Sequence, residues 1–86
     1  MDKNEFDSLF GEFIKQKRKS LNWTQNDLAE KINNDFQNIS RLERGEVSPS
    51  IFWISELAKG FGCSLGELMT EFDAFVSNIQ KIPSKH

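Results

Sequence analysis

TQNDLAEKINNDFQNISRLERG, residues 24–45, holds two short amphipathic segments separated by a turn of about four residues. In the first, Leu28, Ala29 and Ile32 stand at i, i+1 and i+4; in the second, Ile39 and Leu42 precede Glu43 and a terminating Gly45. Each segment therefore has one apolar side and one polar side. Thr24 with Asp27 three residues on has the pattern of a capping box, and Asp35 is placed to cap the second segment. Asn33 and Asn34 fill the turn, where asparagine tolerates the left-handed backbone that glycine more often supplies. The polar faces carry Gln25 on the first segment and Phe36, Gln37, Asn38 and Arg41 on the second. Amide and guanidinium groups are what base edges and phosphates pair with, so this helix, turn and helix predicts sequence-specific contact with double-stranded DNA.

Upstream, Phe6, Leu9, Phe10, Phe13 and Ile14 recur at three- and four-residue spacing and predict a first helix over Asn4–Lys19, with cations in the last turn where the helix dipole favours them. Downstream, Ser50 is placed to cap a fourth helix whose buried stripe is Ile51, Ile54, Leu57, Ala58 and Phe61, weakened and then stopped by Gly60 and Gly62. Ser64 and Glu67 make a second capping box and start a fifth helix carrying Leu65, Leu68 and Met69 inward. Beyond it, Phe72, Phe75, Val76, Ile79 and Ile82 keep helical spacing until Pro83. This extension either packs back over the first helix or offers its apolar face to a second copy. The expected organisation is a domain over residues 4–70, a helical extension over 71–82 and a disordered tail over 83–86.

Eighty-six residues suit one domain, and no apolar run approaches the roughly 20 residues of a membrane span. The first ten residues lack the order of a signal peptide, so the expected setting is cytoplasmic. Cys63 is the only cysteine and His86 the only histidine, too few for a metal site, and neither metal nor cofactor is expected. Cys63 reads as a small core residue. The net charge of −2 argues against nucleic acid, whose affinity rests on Lys and Arg, but the charge is uneven. Lys15, Lys17, Arg18, Lys19, Lys31, Arg41 and Arg44 outnumber Asp27, Glu30, Asp35 and Glu43 between residues 15 and 44, leaving the acidic excess elsewhere.

With these pieces in order, residues 10–69 resemble the lambda-repressor-like, or Xre-type, helix-turn-helix family of prokaryotic transcriptional regulators. The resemblance is carried by Phe10-Gly11, Ile14, Arg18, Trp23-Thr24-Gln25, Leu28-Ala29, Ile39 to Gly45, Ser48-Pro49-Ser50, Leu57-Ala58, Gly62-Cys63-Ser64-Leu65 and Leu68. It implies an all-α, five-helix DNA-binding domain, here with an extra C-terminal amphipathic helix. It also implies that the second helix of the motif lies in the major groove, with Phe36, Gln37 and Arg41 at base-contacting positions and Asn38 at a base or a phosphate. Gln25, Arg44 and Ser50 fall where the family approaches phosphate, and Arg18 with Glu43 where it bridges helix one to helix three. Phe36 has two readings, contact with thymine methyl groups or an inward, space-filling role.

The chain departs from the family pattern at Asn33-Asn34, where glycine and then a small apolar residue are usual, and at Trp53, where a polar residue is commoner. Phe52 beside Trp53 puts at least one large aromatic on the surface, and with Phe72, Phe75, Val76 and Ile79 these form the candidate dimer interface. The expected function is a homodimeric regulator, a repressor, reading an inverted repeat. The alternative is a helical interaction module or antitoxin that binds a protein partner. No catalytic set is present, so an enzyme is not expected.

Overall fold

The computed structural model describes residues 1–80, which form five helices: α1 (Lys3–Ser20), α2 (Gln25–Lys31), α3 (Phe36–Glu43), α4 (Ile51–Phe61) and α5 (Leu65–Gln80). Ile82, Pro83 and the tail expected over 83–86 lie outside the described residues. Side-chain oxygens cap the helix starts. Thr24 accepts from the Asp27 amide at 3.0 Å while Asp27 accepts from that of Thr24 at 2.8 Å, and Ser64 and Glu67 exchange the same two bonds at 3.0 and 2.8 Å. Asp35 and Ser50 accept from the third residue of α3 and of α4, both at 3.0 Å. Sequence reasoning missed a third box, Asp2 with Glu5, which starts α1 one residue earlier than expected.

The helix ends repeat one device. After α1, α2, α3 and α4 a single residue takes positive φ: Asn22, Asn33, Gly45 and Gly62. The next amide then bonds back across the last turn, as from Trp23 to the Arg18 carbonyl at 3.2 Å and from Asn34 to the Ala29 carbonyl at 2.9 Å. Glu46 does so to Arg41 at 3.0 Å and Cys63 to Ala58 at 2.9 Å, the paired-bond termination that satisfies the last free carbonyls. Asparagine thus stands in glycine's place twice, and the unusual Asn33-Asn34 turn closes as a glycine turn would.

Phe10, Ile14, Leu28, Ile39, Leu42, Leu57 and Leu68 are fully buried, so every helix contributes to one core. Gly11 brings α1 against the end of α3 so closely that a Cβ there would collide with the Leu42 and Glu43 carbonyls. Residues 71–80 of the expected extension continue α5, and Phe72 and Phe75 pack back on α1. Phe72 sits edge-on to Phe6 and Phe10 at centroid distances of 5.4 and 5.2 Å, and Phe75 lies 5.5 Å from Phe13. Trp23 stacks on Phe61 at 5.6 Å, with Lys31 at 4.7 Å from the Trp23 ring and Lys17 at 5.2 Å from that of Phe61. Lys17 also reaches Glu71 at 2.6 Å, pinning α5 to α1.

Two expectations are corrected. Phe72 is 5% exposed and cannot belong to a surface that meets another molecule, because the α1 aromatics already cover it. Ile51, assigned to the buried stripe of α4, is 67% exposed. It is the first residue of the helix and lies to one side of the Ile54, Leu57 and Phe61 line, beyond the reach of the core.

Candidate nucleic-acid interface

α3 is held from within. Ile39 and Leu42 are fully buried, and beside them the buried Glu43 accepts from Arg18 Nε at 2.7 Å and from Arg18 Nη2 at 3.0 Å. Arg18 Nη1 donates to the Trp23 carbonyl at 2.7 Å and Gln25 Nε2 to Glu43 Oε1 at 3.0 Å. This network joins α1, the start of α2 and the end of α3. The hydrogen bonds to Glu43 hold the Arg18 guanidinium above its ordinary pKa. The Arg18–Glu43 bridge expected from the family resemblance is formed, and Gln25, expected at phosphate, is part of it.

A second tie runs from α1 to the loop after α3. The buried Asp7 carboxylate accepts the Ser48 hydroxyl at 2.6 Å and Lys3 Nζ at 3.2 Å, and the Ser48 bond holds Asp7 below the ordinary carboxylate pKa. Its two ends are forty-one positions apart, so neither local pattern nor helical period could reveal it.

The outer face of α3 carries Phe36, Gln37, Ser40, Arg41 and Arg44. Phe36 is 50% exposed, which decides against the inward reading of this side chain. Gln37 and Arg41, one turn apart, are exposed, and Arg41 has no carboxylate within 4 Å among the described residues. Asn38 is committed to the turn: its Nδ2 donates to Asn34 Oδ1 at 2.7 Å, and the same oxygen accepts from the Asp35 amide at 2.8 Å. Arg44 is engaged too. Its Nε and Nη2 donate to the two carboxylate oxygens of Glu46 at 2.8 and 3.2 Å, and its Nη1 to Ser40 Oγ. Ser50 caps α4, leaving that helix's first amides beside it.

The cations counted in the sequence are therefore not all available to a ligand. Arg18, Lys17 and Arg44 are paired with Glu43, Glu71 and Glu46, and Lys31 lies over Trp23. Lys15, Lys19 and Arg41 remain without a carboxylate partner among the described residues. Ile51 and Phe52 form an exposed apolar surface at the start of α4, with Phe52 70% exposed. It borders a groove of about 340 Å³ lined by Ile32, Asn33, Asn34, Phe52, Trp53 and Glu56. Trp53 is half-buried, while Phe75 and Val76 pack partly on the core and Ile79 is exposed.

A model of the helix-turn-helix family HTH_3 matches residues 14–68. A curated relative, an uncharacterized HTH-type transcriptional regulator of Methanothermobacter thermautotrophicus, is 39% identical over 49 residues, which span 57% of this chain and 71% of the relative. The crystal structure of an HTH_3 family transcriptional regulator from Vibrio cholerae aligns with a TM-score of 0.75 at 23% identity, over 90% of this chain and 43% of that one. The chain thus spans less than half the length of the solved protein, and at this identity the likeness concerns the fold.

Proposed function

The chain belongs to the helix-turn-helix family HTH_3, a family of DNA-binding transcriptional regulators and not of enzymes, and we propose that it reads a short inverted-repeat operator as a cytoplasmic homodimeric repressor. In this reading α3 enters the major groove. Gln37 bonds adenine through N6 and N7, Arg41 bonds guanine through O6 and N7, and Phe36 meets thymine methyl groups. Gln25, Asn38, Arg44 and Ser50 lie toward the phosphates, Gln25 and Asn38 from within the hydrogen bonds they already make. The observation that carries the reading is the division of α3: its inner side is locked by Ile39, Leu42 and Glu43, while Gln37 and Arg41, which has no carboxylate partner among the described residues, stand outward together.

Two-fold pairing would set half-sites about one helical turn of DNA apart. Phe52, with Ile51 and Trp53, is the surface assigned to it, and Phe75, Val76 and Ile79 supply a second apolar strip along α5. Repression follows if the bound dimer occupies a promoter. A mobility-shift titration on the DNA upstream of the chain's own gene, at moderate salt, tests the reading. Binding no tighter than to bulk DNA would remove it. Exposure of Ile51 and Phe52 favours a second reading, in which this surface takes a protein partner; there Phe52→Asp abolishes partner capture while Gln37→Ala with Arg41→Ala leaves it intact.

A further inference from the structure

Arg44 stands seven residues after Gln37, two turns along the same outer side of α3, where a helix crossing the major groove meets the sugar-phosphate backbone. It does not stand there free. Glu46, two residues on, folds back over the glycine turn and takes both prongs of the guanidinium at 2.8 and 3.2 Å, and Ser40 takes the remaining nitrogen. The turn makes this possible, because the Glu46 amide bonds the Arg41 carbonyl at 3.0 Å and Gly45 has φ +74°. Both side chains are about half exposed, so the pair is open to a competing anion. The acid also lies in the field of Arg41: Arg44 chiefly, and Arg41 after it, hold its carboxyl below the ordinary range.

We propose that Glu46 is an intramolecular competitor for phosphate, which holds Arg44 off the DNA backbone and keeps this regulator's non-specific affinity low. The proposal rests on the DNA-binding reading. A carboxylate and a phosphate oxygen offer a guanidinium the same two-pronged bond, so a phosphate must displace Glu46 and then lie beside the freed carboxylate. Each phosphate neutralised contributes about 0.9 to the slope of log affinity against log salt, so a masked arginine is missing from that slope.

The test is a salt titration of binding to a short mixed-sequence duplex, from about 50 to about 200 mM salt. It compares the parent with Glu46→Gln, the paired Arg44→Gln/Glu46→Gln, and Glu30→Gln, which removes one negative charge from α2. Glu46→Gln is expected to bind about fivefold tighter at low salt with a slope steeper by about 0.9, and Glu30→Gln to change the slope little. The paired variant is expected to match the parent in affinity and slope, since it deletes a cation that was already masked. Thermal melting of all four should coincide, which separates these effects from folding. Loss of affinity and of slope in the paired variant would show Arg44 already on the backbone and overturn the proposal. A gain from Glu46→Gln no larger than that from Glu30→Gln would reduce the effect to net charge and overturn it equally. If the parent and Glu46→Gln both fail to retain any duplex while melting normally, the DNA-binding reading itself falls.

Discussion

Glu43 and Arg44 are consecutive residues, and each forms a two-pronged arginine–glutamate pair, yet the two pairs have opposite standing. In Arg18–Glu43 the side chains are 8% and 2% exposed; in Arg44–Glu46 they are 55% and 49% exposed. The bond lengths barely differ, 2.7 and 3.0 Å against 2.8 and 3.2 Å. Burial, not geometry, separates them. A pair enclosed in the fold cannot lose one member without stranding a desolvated charge, whereas an exposed pair can part at little cost because water receives both ends. One pair fixes where α3 sits; the other can be exchanged for a ligand.

The largest effect that would break the contrast is on the buried side. Arg18→Ala leaves Glu43 buried and half-satisfied, with an expected loss of about 3–5 kcal/mol in chemical denaturation. An undisturbed melting curve with altered operator preference would reverse the assigned role. Next is the other tie between α1 and the loop after α3. Ser48→Ala removes a hydrogen bond to the buried Asp7 carboxylate and should cost about 1.5–3 kcal/mol at neutral pH. Because folding lowers the Asp7 pKa, its contribution is present above the ordinary carboxylate value and is lost as pH falls below that value through the lower folded one. The variant should therefore be less stable than the parent at pH 7, and the gap should close in acid as the parent loses this contribution. A difference between them that did not shrink in acid would remove this linkage.

Smaller in energy, and on a different readout, is the outer face of α3. Arg41→Ala should cost about 1–3 kcal/mol of discrimination at one base pair, measured as the affinity ratio between operator and single-base variants, with no change in melting. The smallest effect belongs to the exposed pair. Arg44→Gln with Glu46→Gln should shift stability by no more than about 1 kcal/mol. A larger loss would erase the distinction from the buried pair.

What the sequence disclosed follows the same division between near and far. Thr24, Asp35, Ser50 and Ser64 act on amides three residues away, so the starts of α2 to α5 were legible from spacing alone. The inner stripe of α3 was equally legible, since a helical period leaves Ile39 and Leu42 together. Cover and pairing were not. Whether the α5 aromatics meet another molecule or α1 depends on how helices pack, and Lys17 finds Glu71 fifty-four positions away. The exposure of Ile51 escaped because a stripe defines a direction on a helix but not where the core ends. At the candidate interface, Gln37 and Arg41 were readable as an outward pair, while the capture of Arg44 by Glu46 needed the glycine turn to bring two adjacent segments face to face.

The setting of the two tryptophans gives the molecule an optical signature of its own. The Trp23 indole is stacked on Phe61 with an ammonium group near its ring. That of Trp53 has a water-excluded Nε1 with no hydrogen-bond partner among the described residues, and it borders the groove beside Phe52. Two fluorophores therefore sit in unlike surroundings, one on the α1–α4 side and one next to the apolar surface assigned to pairing. Emission from Trp53, isolated by Trp23→Phe, reports occupation of that surface without any label, and emission from Trp23, isolated by Trp53→Phe, reports whether the bundle itself has opened.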